Sequence, residues 1–184
     1  PSYFAKKTFL KKSYYDKIII NNILTNLNTV KKIKKHTKKF NVIYVGDFSL
    51  RKGVHRMILE LCKIEKLQIN LNLVGGNLEE HSLYHMLMSK IKSNENINVI
   101  CHGKLSKQKL NQIYENVNLM IFPSLCDGYG IVVNEAISHG MPVVCSIFAG
   151  AKDIIKKYKI GYTYNPYLEN NLLEKIYETS IEEN

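Results

Sequence analysis

The sequence predicts an α/β protein: one open sheet of six parallel strands with helices on both faces. Three observations predict it. From residue 40 onward, short apolar runs alternate strictly with segments of helical periodicity. The connections between them are short, so successive strands return in the same direction through crossover helices. Five consecutive strands are each followed by a glycine-bearing turn. A chain of 184 residues is long enough to bury a proper core as one domain.

Residues 3–12 read as a short amphipathic helix and 18–20 as a brief strand. Residues 21–39 are rich in Asn and Lys and read as a linker with one basic helix, which puts the domain boundary near residue 38. A strand at 42–45 then runs into Gly46. A helix over 53–66 follows, with Val54, Met57, Ile58, Leu61 and Ile64 at the spacing of one buried face. The strand at 69–74 ends in Gly75-Gly76, and a helix covers about 79–92, its face set by Leu83, Leu87 and Ile91. The strand at 97–101 leads to Gly103. Ser106 caps a helix running to about 116. Residues 118–122 form a strand whose run 119–122 is apolar throughout, as in a fully buried parallel strand. A helix at 129–138 is closed by Gly140 and Pro142. Strand 142–146, helix 150–157, strand 160–164 and a last helix from 168 complete a Rossmann-like, three-layer sheet.

Charge is concentrated at one end. Residues 1–40 hold eleven lysines against one acid, Asp16, whereas residues 41–184 carry fifteen groups of each sign. The whole net charge of +10 is therefore N-terminal. Its plain reading is a solvated lysine-rich surface; its sharper reading is contact with an anionic membrane face. Nucleic acid is not expected, because no Arg-rich helix or aromatic platform accompanies the lysines. Cys62, Cys101, Cys126 and Cys145 are too dispersed for a metal knuckle or a redox pair. They read as buried free thiols in a reducing compartment. No run reaches membrane-span length and no signal peptide is visible, so a cytoplasmic protein, peripheral on the inner membrane face, is expected. The chain starts at Pro1 without a Met and is expected to be a piece of a longer protein.

Asp127-Gly128-Tyr129-Gly130 puts a carboxylate on a Gly-rich turn, over a helix start, at the carboxyl end of a parallel strand. Ligands bind there in open α/β sheets, and a helix N-terminus favours phosphate. Glu135 follows two helical turns on. Lys52-Gly53 opens another helix, where the ammonium can meet a diphosphate as a point charge; taken alone the pair reads as surface. There is no Gly-x-Gly-x-x-Gly fingerprint and no phosphate loop ending in Gly-Lys-Ser/Thr. These absences argue against a nicotinamide enzyme or an ATPase. His81 and His85 lie one turn apart, but without a third ligand they read as a solvated face.

With those residues in place, positions 40–165 resemble the C-terminal, donor-binding domain of a family 4 retaining glycosyltransferase of the GT-B fold. Four blocks carry the resemblance. They are Val45-Gly46 through Arg51-Lys52-Gly53-Val54, the stretch 71–76, the stretch 100–124 with Gly103, Leu110, Tyr114 and Pro123-Ser124, and the two-acid block from Asp127 to Pro142. Residues 2–22 resemble the last helix and strand of the family's N-terminal domain. The implied division is 1–38 as the end of the acceptor domain plus linker, and 39–184 as the nucleotide-sugar domain.

The resemblance implies roles residue by residue. Lys52 would hold the donor diphosphate. Gly128, Tyr129 and Gly130 would face the donor sugar and phosphates with their backbone. Ile131 and Val132 would offer helix-start N–H groups to the pyrophosphate, and Glu135 would bind the ribose hydroxyls. His102, Gly103 and Lys104 would fall near the base. The family's first glutamate is Asp127 here, and its usual phosphate arginine is Asp47, for which Arg51 could substitute. The implied function is transfer of a hexose, with retention, from a UDP-linked donor to a glycan or lipid-linked acceptor in bacterial surface-polysaccharide synthesis. Lys52 and Asp127 would be the catalytic pair, no metal or cofactor would take part, and the acceptor would be held by the missing domain. The alternatives are a non-catalytic nucleotide-sugar binder and a GT-B sugar-nucleotide epimerase, whose acid/base groups would be His102 and Asp127.

Overall fold

The computed structural model describes residues 39–76 and 82–182. The expected N-terminal helix, strand and linker lie outside the described residues, as does His81 of the histidine pair. Among the described residues the strands are β1 (Phe40–Val45), β2 (Ile69–Val74), β3 (Ile97–Gly103), β4 (Leu119–Phe122), β5 (Val143–Ser146) and β6 (Gly161–Tyr164). The helices are α1 (Val54–Leu61), α2 (Ser82–Lys92), α3 (Lys107–Tyr114), α4 (Ile131–Ser138), α5 (Lys152–Tyr158) and α6 (Asn171–Glu182). All the strands pair in parallel, in the order β3-β2-β1-β4-β5-β6. This is the six-stranded Rossmann-like sheet that the alternation predicts.

Each face of the sheet carries its own core. Val42, Tyr44, Leu71 and Leu73 face α1, α2 and α6, which contribute Met57, Ile58, Leu87 and Ile176. Ile43, Met120, Phe122 and Cys145 face the other layer, which contributes Val133, Ala136 and Ile154. Alternate residues of one strand thus serve opposite cores. Each fully buried aliphatic side chain contributes about 1.5–3 kcal/mol. β1 and β4 are neighbours whose outgoing connections leave on opposite faces, which makes their carboxyl ends the crevice of the sheet.

Several boundaries differ from the expected ones. The helix expected over 53–66 is the shorter α1, and a separate 3₁₀ turn, Leu50–Lys52, precedes it. Gly53 separates them in a left-handed conformation, φ 70°. At the far end Lys63 and Ile64 donate to Glu60 and Leu61, three residues back, so the coil tightens although Ile64 stays buried. β3 runs two residues beyond expectation, to Gly103, across a register shift beside Leu73 and Val74. α6 starts at Asn171, after a turn in which Asn170 has φ 59°. The thiols correct another expectation: Cys145 is buried, Cys62 is half-buried, and Cys101 and Cys126 are exposed. Cys101 lies on the edge strand and Cys126 in a turn, where local apolar sequence does not produce burial. Among the described residues no helix is long and apolar enough to cross a membrane.

Candidate functional site

Two turns meet at the crevice. The turn after β1 carries Asp47, Arg51 and Lys52, and the turn after β4 carries Cys126 to Gly130. Their backbones are tied: Leu125 N–H donates to Arg51 O at 2.8 Å, and Ser124 Oγ lies 3.4 Å from the same oxygen. Arg51 Nη1 donates to Cys126 O at 2.9 Å. A Cβ on Gly53 would stand 2.1 Å from Pro123 O, so glycine is what allows the turns to come this close.

Lys52 Nζ donates to Asp127 Oδ2 at 2.7 Å, with the two side chains only 17% and 14% exposed. The ammonium also lies 5.9 Å from the centre of the Phe122 ring. Asp127 Oδ1 accepts from Tyr129 N–H at 3.1 Å, which fixes the turn. Asp127 O accepts from Gly150 N–H at 2.8 Å, which draws in the turn after β5. Arg51 Nη1 is 4.0 Å from Asp127 and its Nη2 is 3.9 Å from Asp47. Asp47 accepts from the Ser49 hydroxyl and, at 3.0 Å, from Ser49 N–H. Burial pushes its carboxyl up, but those bonds and the charges of Lys52 and Arg51 outweigh it and hold the group below the usual range.

No side chain caps α4. Its first N–H groups, those of Ile131 and Val132, therefore open a donor pair with a positive helix end beside the Lys52–Asp127 pair. Glu135 lies about one turn further along. Tyr114 Oη is 3.4 Å from Glu135 Oε2, and the Tyr114 ring packs 5.1 Å from that of His139. His139 Nδ1 in turn lies 2.8 Å from Glu135 O. Tyr114 thus supports Glu135, a role that its sequence position did not announce; only the meeting of α3 and α4 makes it visible.

The structure brings Arg51, Lys52, Asp127, Gly128, Tyr129, Gly130, Ile131 and Val132 together at the carboxyl edge. Gly103 ends β3, and its carbonyl accepts from Gly75 N–H at 2.9 Å. His102 is an acid/base candidate only under the epimerase alternative. Its Nε2 lies 2.9 Å from Asn72 Oδ1 on the sheet face, because the longer β3 carries it into the ladder. Among the described residues no three His, Cys, Asp or Glu side chains are grouped to hold a metal ion. The arrangement can receive an anion: a half-buried ammonium and an uncapped helix start belong to adjoining turns, with a carboxylate already engaging the ammonium.

The profile of the family described as "Glycosyl transferases group 1" matches residues 26–183. The capsular polysaccharide biosynthesis glycosyltransferase CapM of Staphylococcus aureus is 30% identical over 125 residues, covering 67% of this chain and 32% of that protein. The apo form of the lipopolysaccharide outer core galactosyltransferase WaaB matches with a TM-score of 0.70 at 22% identity, over 85% of this chain and 45% of that one. Alr3699/HepE of Anabaena, solved in complex with UDP, matches with a TM-score of 0.64 at 25% identity, over 79% of this chain and 40% of that one. The chain spans less than half the length of the first curated relatives it matches.

Proposed function

This chain belongs to the group 1 glycosyl transferases, and from that premise we propose that its crevice holds the diphosphate of a nucleotide-sugar donor. The observation that carries the reading is the half-buried Lys52–Asp127 pair set beside the uncapped start of α4. When the bond between the anomeric carbon and the diphosphate breaks, negative charge develops on the departing oxygen. Lys52 and the Ile131 and Val132 amides are placed to receive it, and Arg51 adds a second cation at the rim. One such donor is worth about 3–4 kcal/mol where charge develops. Gly128, Tyr129 and Gly130 line the sugar side. Glu135 accepts two hydrogen bonds from the ribose diol, and Gly103 borders the base.

The donor is a UDP-hexose, a choice supported by the UDP bound to the Anabaena neighbour. The transfer retains anomeric configuration and uses no metal or cofactor. Residues 39–184 form the donor-binding domain. Residues 1–38 belong to the end of an acceptor domain and its linker, and the rest of that domain holds a glycan or lipid-linked acceptor of surface-polysaccharide assembly. CapM and WaaB support that last assignment by their names alone. The lysines of 1–40 attach the protein to the anionic inner face of the membrane. If Lys→Glu changes at positions 6, 7, 11 and 12 leave partitioning to anionic vesicles unchanged, the attachment is refuted. An epimerase is disfavoured, since His102 is bonded to Asn72 rather than placed as a cleft acid or base.

A thermal-shift panel of nucleotide sugars tests the donor reading. UDP-hexoses should raise Tm with concentration, and Lys52→Ala should reduce the shift at a given donor concentration and abolish transfer by the full protein. No shift with any donor would count against the reading.

A further inference from the structure

A cavity of about 470 Å³ lies between α3 and the β1-β2-β3 half of the sheet. It falls in the ~300–1,000 Å³ range of small-molecule sites. His102 and Leu105 stand at one end, and Asn41, Asn116 and Val117 at the other. Asn41 is the second residue of β1 and Asn116 precedes β4, so the cavity leads toward the amino edge of the sheet, away from the crevice.

Its sheet wall is unusual for a parallel sheet. Strands covered on both faces read as continuous apolar runs, and asparagine is depleted in strands. Here Asn41, which lines the cavity, stands in register with Asn70 and Asn98 on the two neighbouring strands, beside the cavity rather than in its lining. Asn70 Nδ2 donates to Asn41 Oδ1 at 2.8 Å, and Asn98 Nδ2 donates to Asn70 Oδ1 at 3.1 Å. Asn72, on the same face, donates to Val42 O at 3.2 Å and meets His102 at 2.9 Å. Of these asparagines Asn41 and Asn72 line the cavity, and the bonds hold their carboxamides in place.

The opposite wall is a stripe along α3. Lys109, Gln112 and Ile113 follow the spacing of one face of α3, Asn116 continues the wall from the turn after it, and the three polar ones are exposed. Ile100, 37% exposed, adds an apolar patch on the sheet side. Among the described residues no carboxylate lines the cavity. Burial lowers the basicity of His102, which leaves Lys109 as the standing charge among the lining residues.

From these facing walls we propose that the cavity is a second ligand site, taking a neutral, hydroxyl-rich molecule of one or two sugar residues. Carboxamides donate and accept, as hydroxyls do. Ile100, Ile113 and Val117 receive the C–H faces of a sugar ring. The lack of an acid disfavours cations, and one lysine is too few for a polyanion. One end of the cavity, at His102 and Leu105, adjoins Gly103, to which the donor reading gives the base, but the rest runs toward the amino edge, and the proposal does not rest on the donor reading.

Saturation-transfer NMR on the full chain tests this, with maltose, lactose and N,N′-diacetylchitobiose as probes, with and without saturating UDP. The expected result is transfer to at least one disaccharide, unchanged by UDP. A Gln112→Ala/Asn116→Ala double variant should weaken binding about tenfold, the loss of one or two neutral hydrogen bonds. Should that variant not fold, Ile100→Glu, at an exposed position, replaces it with the same expectation. No transfer from any of the three sugars, transfer abolished by UDP, or transfer unmoved by these variants overturns the proposal. A failed thermal shift with UDP-sugars would leave this result standing, so the two readings fail separately.

Discussion

Lys52 Nζ stands 2.7 Å from Asp127 Oδ2, joining the turn after β1 to the turn after β4 across the sheet's crevice. A diphosphate entering the crevice competes with Asp127 for that ammonium. Replacing the carboxylate by an amide removes the competitor but keeps the shape. Asp127→Asn is therefore expected to tighten UDP binding about 3- to 10-fold, a gain of roughly 1 kcal/mol, with isothermal titration as the readout. Lys52→Ala should weaken it about tenfold or more, as for a lost charged hydrogen bond. Weaker UDP binding by Asp127→Asn would mean that the carboxylate helps to hold the nucleotide rather than opposing it.

Glu135 should report on the ribose alone. Glu135→Ala is expected to weaken UDP binding about tenfold, the loss of one or two hydrogen bonds to a charged acceptor. It should leave the 2′,3′-dideoxy analogue nearly unaffected. Tyr114→Phe removes a long bond of 3.4 Å and should give a smaller change in the same sense. Equal losses for both nucleotides would move Glu135 out of contact with the ribose.

Gly53→Ala should be among the most damaging small substitutions. The residue has φ +70°, and the added methyl would meet Pro123 O at 2.1 Å. Left-handed strain costs about 1–2 kcal/mol for a non-glycine residue, and the clash is with backbone, which cannot rotate away. Gly103 has φ +64° but open space around its Cβ position, so Gly103→Ala should cost only the strain. Urea denaturation should separate the two variants by more than about 1 kcal/mol; equal losses would show that the turns adjust freely.

Two histidines set an acid limb on stability. Burial lowers the pKa of His55, helped by the Arg56 charge, and burial lowers that of His102. The unfolded chain therefore takes up protons first, near the ordinary histidine value of about 6.5. Between that value and the lower folded ones the unfolded state holds more protons, so stability rises with pH. Stability from these groups is full above about pH 6.5 and falls as the pH drops toward the folded values. Proton NMR titration should find both imidazoles below 6.5. A folded-state value above that for either would reverse its contribution.

The amino-acid sequence reveals the fold wherever an element is defined by its own residues. β2 was bounded correctly at 69–74 because Gly75-Gly76 ends its run. The cap at Ser106 was visible too, and its hydroxyl accepts from Lys109 N–H. α1 is shorter than the expected helix because the apolar period continues through Ile64 while the backbone tightens beneath it. The resemblance names Lys52 and Asp127 together, but their direct ion pair is not legible in the sequence, since the partners lie 75 residues apart and meet only because β1 and β4 are neighbours. The direction of His102 depends on the register shift between β2 and β3, which no local pattern encodes. The asparagine row does have a local signal: Phe-Asn-Val, Ile-Asn-Leu and Ile-Asn-Val open three strands with the same polar residue in second place.

The strand order also bears on how the crevice is assembled in time. β1-β2-β3 and β4-β5-β6 each form from strands that follow one another in the chain. The two halves join through Val42↔Leu119 and Ile43↔Met120, 77 positions apart. Loop-closure entropy makes that non-local pairing the slow one. A chain with both halves formed but unjoined would have most of its secondary structure and no crevice. Recovery of nucleotide binding during refolding should therefore trail the recovery of helix and strand signal.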